Sequence, residues 1–110
     1  MSAQWITPQP VSSFVVHHRD EEVVLVLRGE IDVANRDEFE RSLDLAAFSL
    51  PAALIIDLGE LDFIDGGGAI VLVAAAHTLE AFGTAVALRA PRPPVRRVLE
   101  LIGGPDLPIE

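Results

Sequence analysis

Cysteine, lysine and tyrosine are absent from this 110-residue chain. Without Cys there are no disulfides, thiolate metal sites or thiol nucleophiles. All eight basic residues are Arg, so neither a Schiff-base Lys nor the phosphate-binding Lys of a P-loop is available. Long apolar runs are missing as well. The longest, Ala69–Ala76, is far below the roughly 20 residues of a spanning helix. No basic patch leading into an apolar stretch marks the N-terminus. A soluble, cytoplasmic protein without membrane insertion is therefore the expectation. The formal net charge of −9 argues against nucleic acid and anionic lipid as partners, because affinity for both rests on basic clusters.

What is present suffices for one core. Half of the residues are hydrophobic, unlike a disordered acidic tail. At this length one domain is expected, burying roughly two-thirds of the surface its unfolded chain would expose. The charge is unevenly spread: residues 20–65 hold 13 acids and 3 Arg, whereas residues 66–110 hold 4 acids and 4 Arg. An acidic half joined to a neutral half needs an explanation.

Residues 1–12, with Trp5, Pro8 and Pro10, read as an N-terminal arm, and 13–110 as one domain. Ser13–His17 can form a first strand and Arg19–Glu22 a charged turn. Val23–Leu27 reads as a short buried strand that Gly29 ends. Asp32–Asn35 offers N-caps, Asp37 and Glu38 suit a first helical turn, and Phe39, Leu43, Ala46 and Ala47 share one helical face. Pro51 closes that helix. Ala53–Leu58 is a second buried strand, with a loop at Gly59–Ile64. Asp65 can cap a helix that starts within Gly66–Gly68 and ends near Ala81, with Gly83 as its stop. Thr84–Arg89 alternates as a strand, and Val95, Val98, Leu99 and Ile102 mark a last helix ended by Gly103–Gly104. The order ββαβαβα predicts an α/β fold. It would be a mixed four- to five-stranded sheet with an N-terminal hairpin, βαβ units and helices packed on the sheet.

Parallel crossovers bring strand C-termini to one sheet edge, where ligands and partners of open α/β sheets meet. Glu30 and Asp32 follow the second strand there, and Glu60, Asp62 and Asp65 follow the third. Five carboxylates are thus expected beside Gly66, Gly67 and Gly68 at a helix start. Three readings remain open. The acids can serve caps and solvated turns. They can supply hard oxygen ligands to a divalent cation, although Glu30-x-Asp32 with Asp62-x-x-Asp65 matches no established ligand spacing. Or they can form an acidic recognition surface for a protein. The glycines either admit a phosphate to the free N–H groups of the helix start, against repulsion from Asp62 and Asp65, or allow a tight turn. A phosphoryl-accepting receiver domain would need a Lys at the site.

Along the helix that follows, Leu72, Val73, Ala76 and Leu79 share a core-facing stripe, while Ile70, Ala74 and His77 point another way. An apolar strip beside acids suits a protein-binding surface; a loop, a neighbouring helix or a second copy is the alternative cover. His17, His18 and His77 are scattered and lack carboxylate spacing, so no metal site and no catalytic group is expected. Asp57 is expected to bond loop amides, and Arg92, Arg96 and Arg97 to form a basic face.

The segments LRGEIDVAN, LIIDLGELDFIDGGGAIVLVAAA, TAVALR and PPVRRVLELIGG, in this order and spacing, resemble the STAS domain (sulfate transporter and anti-sigma factor antagonist). The resemblance covers the chain from about residue 13, and Gly29, Glu30 and Asp32 fall on the family's G-E-x-D pattern. A lone domain of this length resembles an anti-sigma factor antagonist. The resemblance implies a four- or five-stranded sheet flanked by helices, no catalytic activity and no cofactor. It implies an anti-sigma factor as partner, typically a serine kinase of the histidine-kinase-like ATPase class, in a partner-switching pathway of transcription regulation. It also implies a Ser in a D-S-[ST]-G motif at the start of the second helix, whose phosphorylation breaks the complex until a phosphatase restores it.

Here that motif reads Asp65-Gly66-Gly67-Gly68. Gly66 stands in the place of the Ser and cannot carry phosphate. The expected partner surface is Glu30, Asp32, Asp62, Asp65, Gly66, Gly67, Gly68 and Ile70, without the family's off-switch. Two other classes stay open: a STAS module binding a nucleotide or other small ligand at Gly66–Gly68, and a STAS scaffold subunit of a transport or stress-sensing complex. Trp5 is a candidate to dock the arm on the domain or on a second copy, which leaves a homodimer open.

Overall fold

The computed structural model describes residues 12–110; the stretch holding Trp5 lies outside the described residues. The aliphatic runs become β1 (Ser13–Arg19), β2 (Glu22–Ile31), β3 (Ala53–Ile64) and β4 (Ala85–Arg89), and the periodic segments become α1 (Arg36–Ala47), α2 (Gly66–Ala81) and α3 (Pro93–Gly103). The sheet order is β1-β2-β3-β4. β1 and β2 pair antiparallel through a tight turn with Asp20 at φ +51°. β2–β3 and β3–β4 pair parallel. The fold is therefore α/β, a mixed four-stranded sheet with an N-terminal hairpin and two βαβ units.

Both crossovers step in the same direction across the sheet, and right-handed crossovers then place their helices on one face. The core shows this. Val23, Leu25 and Leu27 of β2, Leu54, Ile56 and Leu58 of β3, and Val86 and Leu88 of β4 pack with Phe39, Leu43 and Ala46 of α1, with Leu72, Val73, Ala76 and Leu79 of α2, and with Val95 and Leu99 of α3. Their alternates Val24, Val26 and Ile55 lie outside that cluster. Among the described residues the strands read as buried are thus covered by helices on one side only, although Val24 and Ile55 are buried as well.

Two strands run past their expected ends. β2 continues through Gly29 to Ile31, and β3 takes in the whole of 59–64. Glu30, Glu60 and Asp62 accordingly sit on strands, not in loops. The extension is possible because β2 and β3 pair all the way to Ile31–Ile64, with register shifts between Val26 and Arg28 and between Gly29 and Glu30. Gly29 takes φ +86° there, a conformation cheap only for Gly.

Among the described residues, the expected four to five strands resolve to four plus a bridge. After α3 the chain returns along β4, where Ile109 pairs with Leu88. The Leu88 N–H donates to the Pro108 carbonyl (2.8 Å), and the Glu110 N–H donates to the Leu88 carbonyl (2.9 Å). Leu107 anchors this segment in the core.

Candidate functional site

The C-terminal ends of β2 and β3 meet at Ile31 and Ile64, and the Asp65 N–H donates to the Ile31 carbonyl at 3.0 Å. That bond fixes where α2 begins. Asp65 is extended (φ −80°, ψ 171°) and caps α2, its Oδ1 accepting from the Gly68 N–H at 2.7 Å. This satisfies one of the free donors at the helix start. Arg36, the first residue of α1, brings Nη2 to 2.9 and 2.7 Å from the two Asp65 oxygens. Both side chains of this pair are only about a quarter exposed (27% and 28%).

The three glycines have different surroundings. A Cβ on Gly68 would stand 2.8 Å from Ile31 Cγ2 and 3.0 Å from Ile64 Cγ1, so close packing requires Gly there. A Cβ on Gly67 would stand 2.5 Å from Arg36 Cζ, Nη1 and Nη2. A Cβ on Gly66 would meet nothing within 4 Å. For a phosphate seeking the helix start, the Gly68 amide is already used by Asp65, and the guanidinium over Gly67 is committed to the same carboxylate.

The other acids fall into two groups. Asp62 is paired with Arg92, the N-cap residue of α3, which also donates to the Gly59 carbonyl at 2.9 Å. Glu60 is paired with Arg28 at 2.6 Å. Counting Asp65, three of the five carboxylates expected at this edge therefore hold an Arg. The cation reading loses Asp62 and Asp65 to these pairs. Glu30 and Asp32 have no Arg partner among the described residues. Asp32 Oδ1 accepts from the Ala34 N–H (2.9 Å) and so makes a turn instead of a helix cap. Asn35, the N-cap residue of α1, makes no side-chain capping bond. Its amide instead donates to the Glu30 carbonyl (2.8 Å) and accepts from the Asp32 N–H (3.0 Å). Ser12 Oγ donates to the same Glu30 carbonyl at 3.0 Å. Asp57 accepts from the Gly59 amide at 3.0 Å, as expected of a structural carboxylate.

Apolar side chains stand beside these acids. Ile70 is 55% exposed on the first turns of α2, and Ala74 and His77 continue the exposed strip below it. Leu72, Val73, Ala76 and Leu79 point into the core as the periodicity requires. Val33 and Phe63 are exposed as well, and Phe63 pairs with Glu30 across the strands. Sequence reasoning misses Phe63, Val33 and Arg36. Phe63 falls in an expected loop that is strand, and Val33 has no pattern to join. Arg36 leaves a signal: a cation in the first turn of a helix opposes the helix dipole, so its presence there asks for another partner.

Residues 13–108 match the family model of the STAS domain. The chain belongs to the STAS domain family. The anti-sigma-F factor antagonist RsfA of Mycobacterium tuberculosis is 31% identical to this STAS domain over 106 residues, covering 91% of this chain and 83% of that protein. Among solved structures, an anti-sigma factor antagonist from Mycobacterium paratuberculosis is 26% identical with a TM-score of 0.77, covering 89% of this chain and 83% of the other. The anti-sigma factor antagonist SpoIIAA in its unphosphorylated form is 24% identical with a TM-score of 0.72, covering 89% and 86%. The resemblance read from the sequence motifs thus holds across the fold. No described helix of this STAS domain is long and apolar enough to cross a membrane.

Proposed function

We propose that this STAS domain is an anti-sigma factor antagonist that binds an anti-sigma factor of the serine-kinase type. The contact surface is the edge formed by Glu30, Asp32, Asp62, Asp65, Gly66, Gly67, Gly68 and Ile70. Binding, not catalysis, is its activity, and partner switching in the cytoplasm is its setting. The observation that carries this reading is the start of α2. An exposed, side-chain-free Gly66 stands between a capping Asp65 and an exposed Ile70, with Glu30 and Asp32 alongside. Apolar contact at Ile70 supplies affinity, and the acids supply complementarity to a basic partner face.

The family's switch adds about −2 of charge at this helix start. Gly66 has no hydroxyl to receive it, so the surface stays competent in the presence of a kinase. The Ser42 hydroxyl is no substitute, since it is buried and donates to the Phe39 carbonyl; Thr78 is exposed but lies about three turns along α2 from Gly66.

Affinity capture from the native host, read by mass spectrometry, tests the partner class. The wild-type bait should retain a kinase-type anti-sigma factor, and Ile70→Asp should lose it while keeping the wild-type circular dichroism spectrum. A bait that returns only non-kinase partners, or an Ile70→Asp bait that retains the anti-sigma factor, contradicts the proposal.

A further inference from the structure

We infer that Arg36 takes the place of a side chain at position 67 and closes the start of α2 as an ion pair with Asp65. The inference deepens the reading of this edge as the partner-binding surface and concerns its regulation.

Three observations converge on it. First, all three guanidinium atoms within reach of a Cβ on Gly67 lie at 2.5 Å from it, so a side chain at 67 requires the guanidinium to leave its present position. Second, the guanidinium is held in that position through Nη2, which donates to both oxygens of Asp65. Third, the Arg36 side chain does not favour its own helix. It sits at the positive end of the α1 dipole, and its Nε is buried without a hydrogen-bond partner among the described residues. Both features disfavour Arg at this position, and the contact with Asp65 over Gly67 is what offsets them.

The consequence concerns position 66. A side chain there projects into open space, one residue from the guanidinium. A negative charge placed at 66 is met by Arg36 and partly neutralised. Gly66 lacks the hydroxyl of the family's switch, and an anion placed there would share Arg36 with Asp65. Positions 36 and 67 should accordingly behave as one unit.

Carbon-13 NMR titration of the introduced carboxyl in Gly66→Asp, with and without Arg36→Ala, tests this on the free chain. Gly66 is exposed, so the variant has room for the new side chain. The introduced carboxyl should titrate lower by about half a pKa unit or more when Arg36 is present. Equal midpoints in the two backgrounds overturn the inference. Thermal unfolding of Gly67→Ala gives an independent check: the midpoint should fall with Arg36 in place and should not fall in the Arg36→Ala background. Equal falls in both would show that the guanidinium does not occupy that volume. Neither measurement needs a partner. Failure to capture an anti-sigma factor would sink the proposed function while leaving these results standing, and the reverse also holds.

Discussion

Three consecutive glycines at the start of α2 look interchangeable in the sequence and are not. Gly68 is packed against Ile31 and Ile64, Gly67 lies under Arg36, and Gly66 faces open space. Alanine at each position should separate these roles. Gly68→Ala overpacks the core and should cost about 1–3 kcal/mol. Gly66→Ala should be neutral or slightly stabilising, because Ala is the better helix former by about 1 kcal/mol at most. Urea unfolding of the two variants measures both, and an equal cost would refute the assigned packing. At this scale the sequence reveals what is local. Asp65 as the α2 cap is legible because a cap bonds within three residues of itself. The role of Arg36 is not, because its partner lies 29 residues away and only tertiary folding brings them together.

The helices and strands are legible as elements, and their ends less so. α2 begins where Asp65 and the glycines place it and stops at Gly83, which takes φ +95°. β2 and β3 outrun their predicted ends. A bulge at Gly29 hides the alternation from which a strand end is read, and Leu58, Leu61 and Ile64 are buried at spacings of three, not two. The return of the chain after α3 has no periodic pattern to read, although it covers the outer edge of β4, a place where an open strand invites pairing with other chains. Leu107 is the anchor of that return and packs against Gly103. Leu107→Ala should cost about 2–3 kcal/mol and increase aggregation on heating. Thermal unfolding with light scattering measures both effects, and an unchanged midpoint would show that the segment does not hold the edge.

Over the whole molecule, the imbalance of 13 acids against 3 Arg in residues 20–65 takes on a spatial meaning. Arg36 from within that segment and Arg92 from outside it neutralise Asp65 and Asp62, and Arg28 neutralises Glu60. The acidity left beside the α2 start belongs to Glu30 and Asp32, with Asp37 and Glu38 on the first turn of α1. The proposed recognition surface is thus narrower than five gathered carboxylates, and the Arg36–Asp65 ion pair stands at its centre.

The most direct test of the proposal that this STAS domain binds without a phosphate switch is its affinity for a kinase-type anti-sigma factor. It should be measured by calorimetry before and after incubation with ATP, with mass spectrometry of the chain afterwards. Unchanged affinity and an unmodified chain are expected; loss of binding together with phosphate on any Ser or Thr of this chain would contradict that expectation.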